Sequence, residues 1–449
     1  MSSGFIDRKF AILEESTWNL ILGNKGGFIV SYQNWAGNYT YGATEMIYPE
    51  SIDQLQQLIQ NHKKIKVLGS GHTFNSVTDT DGVFVSLRHW NRMLELNEER
   101  STVTVEAGAT YGDLCAQLSE TGYALHNLAS LPHITIAGAV ATSTHGSGSS
   151  NVSLAAAVEA IELIDANGQL HTFNRGDEEF AGVVIHLGAL GIITKLTLKV
   201  VPTYKVRQFV YENLPVSELQ HNGEKIFASA YSVSLFTDWQ QLSFHQVWTK
   251  SREEDGPSYE GRADFYGAVP ATVPLHPLPD MHAENCTEQL GKPGMWHERL
   301  AHFKMEFTPS AGKELQSEYL MAREHMYEAS LAVHELREHL APVLFVSEVR
   351  TIAADDLWMS PFYNQPSVAF HFTWKDDWEG VERVLPLLEK ALAPFHARPH
   401  WGKLFTVPAA TLQQQFDHLP AFQELIHKYD PTGKFSNAYL DTYIRSHTD

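Results

Sequence analysis

Val67-Leu68-Gly69-Ser70-Gly71-His72-Thr73-Phe74-Asn75 is the stretch on which the reading of this chain turns. Upstream, Ser51 followed three residues later by Gln54 is a capping-box signature, and Ile52, Leu55, Leu58 and Ile59 make an apolar stripe at helical spacing. Ile65, Val67 and Leu68 then predict a short buried strand that breaks at Gly-Ser-Gly. Two glycines around a serine permit positive φ and bring backbone N–H groups close to a ligand, a concave nest for anionic oxygens. The histidine closing that nest stands beside whatever the loop holds. Taken alone, such a loop is more often an ordinary glycine-rich turn carrying a surface histidine. A second loop of the same kind shifts the balance.

That second loop is NLASLPHITIAGAVATSTHGSG, residues 127–148. It packs small residues and hydroxyls where a globular chain normally places core side chains, so backbone can approach a large flat ligand. Two such loops with strands between them resemble the flavin-binding domain of the vanillyl-alcohol-oxidase / p-cresol-methylhydroxylase superfamily. More closely, GSGHTFN (69–75), ASLPHITIAGAVATSTHGSG (129–148), SEVRTIAADDLWMSP (347–361) and HWGK (400–403) together look like the alditol (xylitol) oxidases. The resemblance runs over most of the chain, from NWAGN (34–38) to DPTGKFSN (430–437).

The resemblance implies FAD as cofactor, held by Gly69, Ser70, Gly71, His72, Thr73, Phe74 and Asn75, with His72 bonded covalently to the flavin. Ser130, Thr135, Gly138, Thr142, Ser143, Thr144, His145, Ile193 and His400 complete the implied cradle. It also implies oxidation of a primary alcohol of a polyol such as xylitol or sorbitol, with oxygen reduced to hydrogen peroxide. Ser130, Gln316, Glu348, Arg350, His371, Thr373 and Lys403 match the family's substrate-contacting positions. Within that set Arg350 and Lys403 would bind the reacting hydroxyl and favour its alkoxide, and His371 is the candidate base. Glu348, the fourth catalytic candidate, joins Gln316, Thr373 and Ser130 in fixing the remaining hydroxyls.

A chain of 449 residues is long for one domain, and two are expected. The formal net charge of −20 and a pI near 5.5 argue against nucleic acid, whose phosphates need a basic surface. Cys115 and Cys286 are the only cysteines, so no disulfide framework is expected and a reducing compartment fits. The opening residues lack a signal-peptide core and no apolar run is long enough for a bilayer, which predicts a cytoplasmic protein without a membrane partner. Small-molecule polyol and oxygen are the expected partners, and a monomer fits.

Taken in order, residues 1–33 carry no usable motif. Residues 83–87 and 102–106 read as strands. Thr110 with Asp113 caps a helix in which Leu114 and Leu118 face inward, Cys115 is core, and Gly122 marks the stop. Asn167-Gly168 between residues 154–165 and 170–173 is a hairpin signal, and residues 188–194 lead into a strand ending at Pro202. Mixed strands, helices and hairpins predict an α+β fold rather than a doubly wound one. The expected division is a mixed FAD-binding domain over 1–204, completed by about 396–449, and a cap domain on an antiparallel sheet over 205–395. Residues 256–279 read as loop.

Two cap strands carry chemistry. In residues 344–351 a period of two puts Glu348 and Arg350 on one face. In residues 367–374, Phe370, Phe372 and Trp374 share one face while His371 and Thr373 share the other. Such polar pairs fit the wall of a polar pocket as well as a solvated sheet face. No Gly-x-Gly-x-x-Gly follows a strand and no P-loop occurs. His334 and His339, five apart, would stand about 140° apart around a helix, so they fail as zinc ligands and read as part of a solvated helix. Alternative readings are a sugar-lactone oxidase of the same superfamily and a flavin- or sugar-binding protein without turnover.

Overall fold

The computed structural model describes residues 18–22, 28–278, 281–305 and 314–445. Trp18–Leu22 and Phe28–Tyr32 pair as an antiparallel hairpin, which no sequence signal marked. Strands β1 (Glu45–Ile47), β2 (Ile65–Val67) and β3 (Val83–Val85) then form a parallel sheet in the order β1-β3-β2. Between β1 and β2 runs α1 (Ile52–Asn61), with Leu55 and Ile59 buried. Ser51 Oγ accepts from Gln54 N (3.2 Å), but the Gln54 amide answers at Glu50 N (2.8 Å), one residue before the expected position.

A five-stranded antiparallel sheet follows: β4 (Met93–Asn97), β5 (Thr102–Glu106), β6 (Val158–Ile164), β7 (Leu170–Asn174) and β8 (Ile192–Lys199), in the order β7-β6-β8-β5-β4. Helix α2 (Tyr111–Ser119) carries the predicted capping box, Thr110 accepting from Asp113 N and Asp113 accepting from Thr110 N, both at 3.1 Å. Cys115 is buried in it, and burial raises its thiol pKa. Helix α3 (Ile136–Ala141) lies in the small-residue loop. The Asn167-Gly168 hairpin forms, its turn held by Asp165, whose carboxylate accepts from Asn167 N and Gln169 N at 2.8 and 2.9 Å. Strand β6 starts later than predicted because Ala155–Ala157, poor strand formers, wind into a 3-10 turn.

The remaining large sheet is antiparallel throughout. Its principal strands are β9 (Lys205–Pro215), β10 (Ser232–Thr237), β11 (Ser243–Arg252), β12 (Glu314–Ala322), β13 (Leu344–Ile352), β14 (Ser367–Lys375) and the short β15 (Arg398–Pro399). They stand in the order β9-β11-β10-β13-β14-β12-β15. Side chains alternate across it. Leu235, Val349, Phe370, Phe372 and Trp374 face a core shared with the helices Glu218–Phe227, Met326–His334 and Trp378–Leu392. The opposite face carries the polar residues and turns toward the first two sheets' loops.

Three local expectations change. Residues 256–279 include part of a 3-10 stretch, Glu253–Glu260, and the two-residue strand Val269–Pro270. His334 and His339 do not share a helix, because Met326–His334 ends before Arg337–Leu340 begins. Nor is His334 simply solvated: its Nδ1 donates to Trp239 O at 2.8 Å. Among the described residues, no helix is long and apolar enough to cross a membrane.

Candidate active site

A cavity of about 860 Å³ runs between the small-residue loops and the polar face of the large sheet. The two loops are joined, Thr135 N donating to Ser70 Oγ at 3.3 Å. They touch so closely that side chains are excluded. A Cβ on Gly69 would come 2.4 Å from Thr135 Oγ1, and one on Gly138 would come 2.8 Å from it. Gly71 has φ +66. The 34–38 segment clasps the first loop from outside: Trp35 N donates to Gly71 O (2.8 Å) and the Asn34 amide to Thr73 O (2.9 Å). The C-terminal segment supports the same strand, Ile65 N donating to Lys434 O at 3.1 Å.

This cradle fits FAD. Its glycines leave backbone, rather than side chains, as the wall a flat ligand would meet. His186 lines the cavity with both ring nitrogens buried and without a protein partner, which points to a polar ligand there. His72 also lines the cavity, stacked on Trp35 with ring centroids 4.6 Å apart. Burial, then the neighbouring His133, pushes its pKa down to about 3, so the imidazole is neutral.

Opposite lies a dense charged cluster. On β12, β13 and β14 the register sets Glu318 beside His371, His371 beside Glu348, and Gln316 beside Thr373. Glu318, 1% exposed, is the hub. Its Oε1 accepts from Arg350 Nη2 at 2.8 Å, and its Oε2 accepts from Lys403 Nζ at 2.8 Å. His145 Nε2 lies 3.3 Å from Oε1. Burial alone would raise the Glu318 pKa, but Lys403, His145 and Arg350 hold it well below the carboxylate range. Glu348 is likewise kept ionised: burial opposes, and Arg350 and His302 overcome it.

Lys403 Nζ also donates to His371 Nδ1 at 2.8 Å, while His371 Nε2 donates to Thr373 Oγ1 at 3.2 Å. Both nitrogens of His371 are therefore engaged, and burial with the Lys403 charge holds its pKa well below that of a free imidazole. This geometry speaks against the expected role of His371 as base, because it has no lone pair to offer. Lys403 is different. Burial, countered by Glu318 and assisted by Arg350, lowers its pKa. Two of the three non-carbon positions on Nζ are used, and the third is an N–H in the ammonium or a lone pair in the neutral amine.

Of the residues singled out in the sequence, Gly69, Ser70, Gly71, His72, Thr73, Phe74, Ser130, Thr135, Gly138, Thr142, Thr144, His145, Ile193 and His400 line the cavity. So do Gln316, Glu348, Arg350, His371, Thr373 and Lys403. Asn75 and Ser143 do not. The Asn75 amide is spent on the carbonyls of Trp401 (2.9 Å) and Lys403 (2.8 Å), clamping the HWGK loop, and Ser143 is buried with φ +58. Glu318 and His302 were not anticipated. Glu318 was legible, since it stands two residues beyond Gln316 on the same strand face; His302 lies on a loop with no periodic signal.

Known proteins match this arrangement. Residues 43–174 fit the FAD binding domain family model, and residues 306–443 fit the model described as D-arabinono-1,4-lactone oxidase. Cholesterol oxidase from B. sterolicum shares the fold, with a TM-score of 0.74 at 16% identity over 92% of this chain and 96% of that one. Fold and cradle thus define an FAD-dependent oxidoreductase with an antiparallel-sheet cap. The chain is 46% identical to alditol oxidase of Streptomyces sp. (strain IKD472 / FERM P-14339), covering 91% of this chain and 97% of that one. L-gulonolactone oxidase of Mus musculus is 27% identical over 94% and 99% of the two chains. The protein belongs to the alditol oxidase family.

Proposed function

We propose that this protein oxidises a primary alcohol of an open-chain polyol, such as xylitol or sorbitol, to the aldehyde, with oxygen reduced to hydrogen peroxide. The observation that carries the reading is the largely buried, hydrogen-bonded face formed by Gln316, Glu318, Glu348, Arg350, His371, Thr373 and Lys403 along one side of the cavity. A polyol has a hydroxyl on every carbon, and each one satisfies a polar group that an apolar analogue would strand. Bound FAD supplies the hydride acceptor and the route of electrons to oxygen.

In this reading Arg350 and Lys403 hold the reacting hydroxyl. Lys403, in its neutral form, accepts the hydroxyl proton at Nζ, and Arg350 stabilises the alkoxide. His371 orients Lys403 through Nδ1. Ser130, 3.5 Å from Arg350 Nη1, ties the cofactor loop to the substrate side, while Glu348, Gln316 and Thr373 take further hydroxyls. Gly69, Ser70, Gly71, His72, Thr73 and Phe74 with Thr135, Gly138, Thr142, Thr144, His145, Ile193 and His400 hold FAD, and neutral His72 bonds covalently to it. The FAD-binding part comprises 1–204 and about 396–449, and the cap 205–395. The protein works in the cytoplasm on small molecules, without nucleic acid or membrane.

Peroxide release by the purified yellow protein with and without xylitol tests the reading. Release on xylitol supports it, and a flavin spectrum without turnover leaves only a binding protein. The match of residues 306–443 to D-arabinono-1,4-lactone oxidase favours a second reading, oxidation of a sugar lactone.

A further inference from the structure

The loop before β12 sets His302 over the polar face of the large sheet, where it lines the cavity. Its Nε2 lies 2.8 Å from Glu348 Oε1. A carboxylate only accepts, so Nε2 carries the hydrogen and donates. The other nitrogen, Nδ1, lies 3.1 Å from Lys250 Nζ, whose pKa burial lowers to about 7. Lys250 is fully buried, and its Nζ also donates to the carbonyls of Leu300 (2.6 Å) and Ala301 (3.0 Å). Lys250 Nζ thus lies against three acceptor atoms, and the hydrogen that Nε2 gives to Glu348 leaves the lone pair of the neutral ring at Nδ1. The ring has little freedom to turn, because Phe236 and Trp248 meet it edge-on with centroids at 5.7 and 5.4 Å. Phe236 stands directly across from Glu348 in the sheet.

The far end of this chain is Glu348 Oε2. It receives no hydrogen bond from a described residue, and Arg350 Nε approaches only to 3.6 Å. Arg350 Nε itself is buried without a hydrogen bond. One carboxylate oxygen is therefore tied down and the other is left as an ionised acceptor beside an unsatisfied donor, in a cavity wall. A hydroxyl, which both donates and accepts, complements that pair.

We infer that His302, oriented by Lys250, is a positioning residue that aims Glu348 Oε2 at a substrate hydroxyl other than the reacting one, and so sets the preference for longer polyols. The inference rests on the polyol reading of the site. The network Lys250-His302-Glu348 acts on binding of that hydroxyl and not on the chemical step.

The test uses the flavin-loaded enzyme and compares xylitol with glycerol, which lacks the outer hydroxyls. His302→Ala should raise KM for xylitol about tenfold, the range for one misplaced hydrogen bond to a charged group, with kcat changed little. The kcat/KM ratio of xylitol to glycerol should fall by a similar factor while flavin content per chain stays the same. His302→Gln keeps an N–H donor at comparable reach and should restore most of the ratio. His302→Met keeps bulk without the donor and replaces the alanine variant if that one unfolds. An unchanged ratio, or an equal loss on both substrates that Gln does not repair, overturns the inference. If the wild-type enzyme fails to oxidise xylitol, the polyol reading itself falls, which is a separate outcome.

Discussion

Replacing Glu318 by Gln removes one charge and almost no volume from the centre of the site. Glu318 holds Arg350 and Lys403 at 2.8 Å each while fully buried, so the substitution leaves Lys403 without its paired carboxylate and Arg350 with only Glu348, at 3.6 Å, in low dielectric. Breaking a buried pair in this way costs about 3–5 kcal/mol. For 449 residues at roughly 2.1 cal/mol/K each, unfolding as one unit carries ~0.9 kcal/mol/K, so the melting temperature should drop by about 3–5 °C. The effect also has a direction in pH. Glu318 raises the pKa of Lys403, whereas burial and Arg350 lower it, so the variant's Lys403 loses its proton at lower pH than the wild type's. Two consequences follow from that sign. The melting deficit should narrow as pH rises, because a neutral Lys403 no longer strands a charge. The rising limb of kcat/KM against pH, which reports neutral Lys403, should move to lower pH. The assays are thermal unfolding and initial peroxide release over a pH series. An unchanged melting temperature refutes the hub role of Glu318, and a limb that stays in place or moves to higher pH refutes Lys403 as proton acceptor.

In the wild type that limb should rise with pH with its midpoint below 10.5, the ordinary lysine value, since Lys403 is shifted down; a flat profile would contradict it. Arg350→Ala should slow anaerobic bleaching of the flavin by xylitol on the order of 10²–10³-fold while leaving flavin content unchanged, and normal bleaching removes Arg350 from the mechanism. Acid-precipitated wild-type protein should stay yellow and His72→Ala should release its flavin; a colourless wild-type pellet ends the covalent claim but not FAD binding. Propanol should be nearly inert, each stranded polar partner costing about 1–3 kcal/mol, and parity with xylitol would show that the polar face does not hold the substrate.

What could be read in the sequence is what repeats locally. The helix at Ser51, the capping box at Thr110 and the Asn167-Gly168 hairpin are local signals, and each forms. Period-two alternation likewise put Glu348 with Arg350 and His371 with Thr373 on faces that the structure turns to one cavity. The same rule extended two residues past Gln316 reaches Glu318. What alternation does not contain is pairing between strands, so the meeting of Glu318 with Arg350, and of Lys403 with His371, comes from sheet order and a loop far along the chain. The engaged nitrogens of His371 and the Asn75 clamp on residues 401 and 403 are tertiary facts of this kind. His302 is the extreme case: its partners Lys250 and Glu348 lie about fifty residues away on either side, in strands that are not neighbours.

The account stands or falls on which substrate the polar face recognises. Peroxide release should be measured at equal concentrations of xylitol and of a sugar 1,4-lactone, with kcat/KM determined for each. A marked preference for xylitol is the predicted result, because an open chain lays its hydroxyls along Gln316, Glu348 and Thr373 and a ring does not. A preference for the lactone would contradict the account and establish the second reading.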